Sequence, residues 1–359
     1  MINNFSQFLF NQFRKNEMHL HELNYLFWEC TLRCNLQCRH CGSDCKNVST
    51  VKDMLFEDFL NAILPLKEKF KSDSITVAIT GGEPLLREDL PQCGIQLRKN
   101  GFLWGIVTNG YGYTPEVHSK LLSAGMGTIT VSLDGLESSH NWLRANDQSF
   151  KRAVNALSLI SSSSRLNFDV VTCVNKKNID ELDKLKDILN DMQIKAWRLF
   201  IISPIGRAAR TYGSIYNDDL YLTNMQLKQL MDFIVMARNE KRINVSLCCG
   251  DYVGEYERKV RDAYYICRAG MHIGSILIDG SISACPNINR SFIQGNIYQD
   301  NFLDVWNNKF EIMRNRKWSK IGLCKDCEAF KNCNGGPMHL WDENKDTIMA
   351  CTYQQLKKC

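Results

Sequence analysis

The sequence predicts an α/β chain on parallel strands, followed by a cysteine-rich C-terminal part. Three observations carry that reading. Short apolar runs alternate with helical periods from Tyr25 to about Arg238. Near Lys241 the helical periods thin out and Gly and Cys become frequent. The chain also holds 16 cysteines in 359 residues, several of them in tight clusters. Strand–helix alternation means parallel strands joined by right-handed crossovers. Whether they close as a barrel or stay open, periodicity does not decide.

The strand candidates are Tyr25–Glu29, Ile75–Thr80, Leu103–Thr108, Thr128–Leu133, Leu166–Val174 and Ala196–Ile202. Several are apolar at both parities, the pattern of strands buried on both faces. Between them, Phe56, Phe59, Leu60, Ile63 and Leu64 form one helical stripe, and Ile179, Leu182, Leu185, Ile188, Leu189 and Met192 another. A third helix opens at Thr223, with Gln226 three residues on as its capping-box partner. The Ser161–Ser164 run reads as a loop. Residues 1–24 form a separate helical segment with Phe5, Phe8, Leu9 and Phe13 on one face, expected to dock on the strand–helix body. A peripheral membrane or partner contact is the alternative. The expected division is therefore 1–24, 25–240 and 241–359.

Composition narrows the function classes. Hydrophobic residues make up 44% and charged residues 23%, as in soluble globular proteins. The longest apolar runs, such as Ile75–Ile79, fall far below the roughly 18 residues of a membrane span. No secretory signal is read at the N-terminus, so the expected location is cytoplasmic. A net charge of +5, with Arg314–Lys317 read as a solvated helix face, gives no track for nucleic acid. In a reducing compartment, clustered cysteines point to metal or cofactor chemistry.

The first cluster follows the first strand: Cys34, Cys38 and Cys41 stand as C-x3-C-x2-C. Three thiolates can each bind one iron of a 4Fe–4S cube and leave the fourth iron for an exogenous ligand. A structural zinc site is the alternative, although zinc favours paired C-x2-C units. Cys30 and Cys45 flank the loop and read as packing, as do Cys93 and Cys173.

With these motifs the chain resembles the radical S-adenosylmethionine (SAM) superfamily. Thr80-Gly81-Gly82-Glu83-Pro84 ends the second strand and is similar to the motif that receives the SAM amino group. Glycines let backbone approach, and carbonyls with a carboxylate accept from an ammonium. The resemblance further implies His40 beside the adenine, Asn109, Ser132 and Asp134 at SAM-contacting strand ends, and Arg144 near the SAM carboxylate. It also places Arg207 in an adenine-side motif after the sixth strand. The implied fold is a partial (β/α)6 TIM-like barrel with its site at the C-terminal strand ends. The implied chemistry is reductive cleavage of SAM to methionine and a 5′-deoxyadenosyl radical, which abstracts hydrogen from C–H bonds.

The C-terminal part resembles a SPASM domain, an extension carrying auxiliary iron–sulfur clusters. Cys324, Cys327, Cys333 and Cys351 match the four ligands of one 4Fe–4S cluster. The same four thiolates could hold zinc instead. Cys267 and Cys285 match two ligands of a further cluster, but the pattern's Cys after Cys333 is Pro337 here. One or two auxiliary clusters are thus expected, the incomplete one being an open cube, a 2Fe–2S unit or absent. Adjacent side chains on an extended segment point to opposite faces. Cys249, beside Gly250, is the reading for the missing ligand, and Cys248 for its packed neighbour.

The resemblance implies an oxidoreductase or maturase acting on a peptide or protein side chain through oxidation, crosslinking or epimerisation. A low-potential donor such as flavodoxin or ferredoxin would supply its electrons. The segments Asn24–Cys45 and Gly335–Leu340 look most like a Bacteroidetes-type subgroup associated with lipoprotein genes. A small metabolite is the second substrate class, because residues 1–24 are too short for a peptide-recognition domain. A non-catalytic iron–sulfur electron carrier is the reading from another class.

Overall fold

Strand after strand is laid down in parallel and in chain order, each paired with the one before it. The computed structural model describes residues 4–359 except Ser214 and Cys249. After α1 (Asn4–Leu20), six strands follow: β1 (Tyr25–Thr31), β2 (Thr76–Gly81), β3 (Leu103–Thr108), β4 (Thr128–Ser132), β5 (Asn167–Val174) and β6 (Ala196–Ile201). Their crossovers carry α2 (Phe56–Ile63), α3 (Leu90–Lys99), α4 (Pro115–Ser123), α5 (Glu137–Arg144), α6 (Ser149–Ser161) and α7 (Leu182–Asp191). A β7–β8 hairpin (Thr211–Tyr212, Ile215–Tyr216) precedes α8 (Asn224–Glu240). The Thr223–Gln226 capping box is present in both directions, at 3.1 and 3.2 Å.

Strand pairing continues past residue 240. β9 (Asn244–Leu247) joins β6 in parallel, and β10 (Ile273–Ile276) joins β1 in parallel at the other edge. β11 (Ser281–Ser283) and β12 (Gly295–Asn296) then extend that edge antiparallel. Among the described residues the order β12-β11-β10-β1-β2-β3-β4-β5-β6-β9 ends at β12 and β9 without closing, so the barrel is partial, as the fold class implied.

The two faces of the strands differ. Leu26, Trp28, Val77, Ile79, Trp104, Ile106, Ile129, Val131, Trp197 and Leu199 are buried. Trp28 stacks on Phe59 of α2 with ring centroids 4.5 Å apart. A Cβ on Gly94 of α3 would sit 2.1 Å from the Trp104 ring, so only glycine lets that helix lie this close. Contrary to the expectation of burial on both faces, the alternate residues Phe27, Thr80, Thr130, Asp169 and Arg198 are only partly buried. They line the barrel interior, where Asp169 pairs with Arg198 and both meet the Thr130 hydroxyl. Strand apolarity alone did not separate a packed interior from a chamber.

Two surface expectations are corrected. The α1 helix forms, but its Phe5, Phe8, Leu9 and Phe13 stripe is exposed. It docks by the opposite face: Arg14, buried, donates to the carbonyls of Asn332 at 2.8 Å and Lys331 at 2.7 Å, and Phe10 meets Tyr264. The carbonyls ending a short helix, α9 (Phe330–Cys333), need donors, and a guanidinium supplies two. Likewise Arg314 and Arg316 are buried, not a solvated face, because they serve the carbonyls of Gly270, Trp306 and Gly336. Among the described residues, no helix is long and apolar enough to cross a membrane.

Candidate active site

The loop after β1 is tied to the ends of β2 and β3 before any side chain acts. Gly82 N–H donates to Thr31 O at 2.7 Å and Glu83 N–H to Arg33 O at 2.9 Å. A Cβ on Gly82 would lie 2.0 Å from Arg33 O, and Gly81 holds φ +121° with its Cβ direction 2.2 Å from Thr31 O. The two glycines are therefore steric requirements of the loop–strand contact. Cys34 N–H donates to Lys46 O at 2.8 Å, closing the base of the loop.

Glu83 is buried at this junction. Its carboxylate accepts from Thr108 Oγ1 at 2.8 Å, Asn109 N–H at 2.8 Å and Leu85 N–H at 3.2 Å. Burial raises its pKa, and these donors act against the rise. Pro84 starts the short turn that follows. Asn109 also donates from Nδ2 to Asn35 Oδ1 at 2.8 Å, and the same nitrogen is 3.9 Å from Cys34 Sγ. One side chain thus links the cysteine loop to the end of β3.

On the other side, Arg144 ends α5 and donates from Nε to Asp134 Oδ2 at 2.5 Å and from Nη1 to Cys38 Sγ at 3.6 Å. Asp134, fully buried, also accepts from Cys173 N–H at 2.8 Å. Burial alone would raise the Asp134 pKa, yet Arg144 holds it down at about 2. His140 Nδ1 accepts from Asp134 N–H at 2.9 Å and its Nε2 meets Ser149 Oγ at 2.9 Å, so the ring is neutral with its proton on Nε2. Ser132 is buried at the end of β4.

His40 Nδ1 is buried with no hydrogen-bond partner among the described residues, and burial lowers the ring's pKa to about 3. Donor atoms of His40, Asp134 and Cys173 lie within 4.8 Å of one another. Cys173 was expected in the core. It instead lies partly exposed in the chamber, sharing the parity of Asp169 and Val171 on β5. Cys173 and His140 are the site residues that sequence reasoning missed. The signal for Cys173 was its β5 parity.

Arg207 holds the loop rather than an open pocket. Its Nε donates to Cys38 O at 2.8 Å, and Nη1 to Asp44 Oδ1 at 2.9 Å and Cys45 O at 2.7 Å. Its own N–H donates to Cys41 O at 2.9 Å, and Gly206 (φ +57°) lets that backbone approach. The Cys45 thiol donates to Ser43 O at 3.9 Å, and its proximity, with that of Arg207, lowers the Cys41 pKa. Burial pushes Cys34 up to about 12.

These residues fit a cluster of the cube type. Thiolates on a tetrahedral zinc, each about 2.3 Å from the ion, stand about 3.8 Å apart. Among the described residues, the one trio of metal-ligating atoms within 4.8 Å of one another is His40, Asp134 and Cys173, a mixed set that includes none of the clustered cysteines. Cys34 and Cys38 share an apolar pocket with Leu36 and Cys45, and Cys41 packs against it. In the C-terminal part, burial raises the pKa of Cys324, Cys333 and Cys351, with Cys351 at about 12. Nearby, Tyr265 Oη, Arg316 Nε, Arg261 Nε and Asp251 Oδ1 are buried without partners among the described residues, as around a group that would satisfy them. Burial pushes the Cys285 thiol up to about 12, and Cys267 lies near enough to add to that rise. Cys249 lies outside the described residues. Cys248 accepts from Arg198 Nη1 at 3.7 Å, which turns it toward the barrel interior.

The Radical SAM superfamily matches residues 28–189, and the SPASM iron–sulfur cluster-binding domain matches residues 267–328. Mycofactocin maturase MftC of Mycolicibacterium smegmatis is 29% identical over 322 residues, covering 87% of this chain and 77% of that protein. Fe-coproporphyrin III synthase of Methanosarcina barkeri is 25% identical over 335 residues, covering 86% of this chain and 81% of that protein. Among solved structures, Streptococcus suis SuiB bound to precursor peptide SuiA superposes with a TM-score of 0.67 at 16% identity, covering 90% of this chain and 74% of that chain. The chain belongs to the radical SAM superfamily and carries a C-terminal SPASM iron–sulfur cluster-binding domain.

Proposed function

We propose that this enzyme cleaves SAM reductively at a cluster held by Cys34, Cys38 and Cys41, and so modifies a peptide or protein side chain. When bound, the cluster and SAM supply one-electron chemistry and hydrogen abstraction from a C–H bond. The observation that carries the reading is Asn109, whose amide and backbone join Glu83 to the cysteine loop. Glu83, held by three donors, is positioned to accept from the SAM ammonium. Arg144, neutralised by Asp134, would hold the SAM carboxylate, and His40 would lie beside the adenine. Cys324, Cys327, Cys333 and Cys351 hold an auxiliary cluster, and Cys267 with Cys285 hold part of another. A low-potential carrier such as flavodoxin or ferredoxin delivers the electron.

The peptide substrate is supported by the maturase relative and by the chamber itself. The Arg198–Asp169 pair and Thr130 offer donors and acceptors that suit amide groups better than a flat apolar ring. The tetrapyrrole synthase relative favours a second reading, in which the substrate is a small molecule. Changing Cys34, Cys38 and Cys41 together to Ala should remove one cube's iron and abolish 5′-deoxyadenosine formation with dithionite. Undiminished 5′-deoxyadenosine would refute the central assignment. Mass change in a short peptide encoded beside the gene, against turnover of an iron porphyrin, separates the two substrate classes.

A further inference from the structure

One aromatic side chain stands between the two sets of auxiliary cysteines. Tyr265 is 4% exposed and forms a small apolar group with Tyr252 and Ala329, against which Cys267, Cys327 and Cys333 pack. Its position is held from two directions. Its N–H donates to Glu257 Oε2 at 2.8 Å, and the Arg261 guanidinium lies 5.6 Å from its ring centroid. The phenol end is different: its hydroxyl is buried and has no hydrogen-bond partner among the described residues. Native proteins seldom leave a buried hydroxyl unpaired, so such a group points to an acceptor that binds there. Beside it lie the Cys267 and Cys333 thiols and the Asp251 carboxylate. Arg316, itself 3% exposed, lies near enough to Cys324 to favour its thiolate, and its Nε is also buried without a partner among the described residues.

We propose that the Tyr265 hydroxyl donates a hydrogen bond to a sulfur of the auxiliary cluster held by Cys324, Cys327, Cys333 and Cys351, and thereby raises that cluster's reduction potential. The proposal rests on the reading that this four-cysteine set holds iron and sulfur. Reduction adds an electron to a centre that four thiolates already make negative. A donor aimed at its sulfur stabilises the added charge, and hydrogen bonds to sulfur are among the factors that set cluster potentials. The buried Arg316 guanidinium adds positive charge that acts in the same direction.

The test uses the full chain with Cys34, Cys38 and Cys41 changed to Ala, so that only auxiliary iron remains, and follows the midpoint potential by electron paramagnetic resonance. Tyr265→Phe should shift the midpoint to a more negative value while iron content stays at the parent level. Placing 3-fluorotyrosine at position 265 alone makes the hydroxyl a stronger donor and should shift the midpoint the other way. Opposite shifts support the hydrogen bond. Unmoved midpoints, or shifts of the same sign, overturn it and leave Tyr265 a packing residue. If Tyr265→Phe fails to hold iron, the fluorotyrosine protein, which conserves shape, decides alone. Metal analysis of the parent separates the other failure: zinc in place of iron overturns the cluster reading and this proposal with it.

Discussion

Arg144 Nε lies 2.5 Å from Asp134 Oδ2, and the same guanidinium reaches Cys38 Sγ at 3.6 Å. A helix end, a strand end and the cysteine loop therefore meet through one buried cation. Removing it leaves the Asp134 carboxylate buried and unpaired. Arg144→Met should cost about 3–5 kcal/mol of stability, the usual penalty for stranding one partner of a buried ion pair. Asp134→Asn in the same chain should recover part of that loss. Urea unfolding of the four-protein cycle measures the coupling, and additive effects would show that the two residues act independently.

His140 gives the fold an acid-sensitive element. Burial lowers its pKa to about 4, against about 6.5 in the unfolded chain. Because the folded value is the lower one, the unfolded state binds the proton first. The stabilising contribution is complete above about pH 6.5 and is lost as pH falls toward 4. By pH 5 the loss should reach about 2 kcal/mol. His140→Asn keeps an acceptor near Asp134 N–H but does not titrate, so its stability should fall less steeply between pH 7.5 and 5. Parallel slopes in anaerobic denaturation would remove His140 from the account.

Arg207 should matter for keeping iron, because three of its bonds go to the loop that carries Cys38 and Cys41. Charged hydrogen bonds of this kind contribute about 1.5–3 kcal/mol each. Arg207→Met is expected to release the catalytic cluster's iron to a chelator roughly tenfold faster, since 1.4 kcal/mol corresponds to a factor of ten. Arg207→Lys keeps the charge without the planar fork and should fall between. Wild-type iron retention together with weakened SAM binding would instead assign Arg207 to the cofactor directly.

Much of this was legible in the amino acids. The six strands lie within two residues of where the apolar runs put them, and Thr223 with Gln226 marked the start of α8 to the residue. The cysteine spacings and the Gly81-Gly82-Glu83-Pro84 run were local patterns, readable because their chemistry requires neighbours in sequence. Less legible were the residues whose role depends on what crosses over them. Cys173 looked like core because its strand is apolar, and only closure of the sheet turned its face toward His40 and Asp134. Arg314 and Arg316 looked solvated because charge in a short run usually is, but carbonyls distant in sequence draw them inside.

The N-terminal helix shows the division most plainly. Its period and its Phe5, Phe8, Leu9 and Phe13 stripe were determined by the sequence, since helical spacing is a local property. Which face docks was decided by tertiary structure. The end of α9 presents carbonyls without intrahelical donors, and Arg14 satisfies two of them while the aromatic stripe stays exposed. Residue order alone thus determined the elements, the cysteine loop and the glycine turn. The tertiary structure decided which polar groups would be left needing partners, because an unsatisfied buried donor or acceptor exists only once the chain has closed around it.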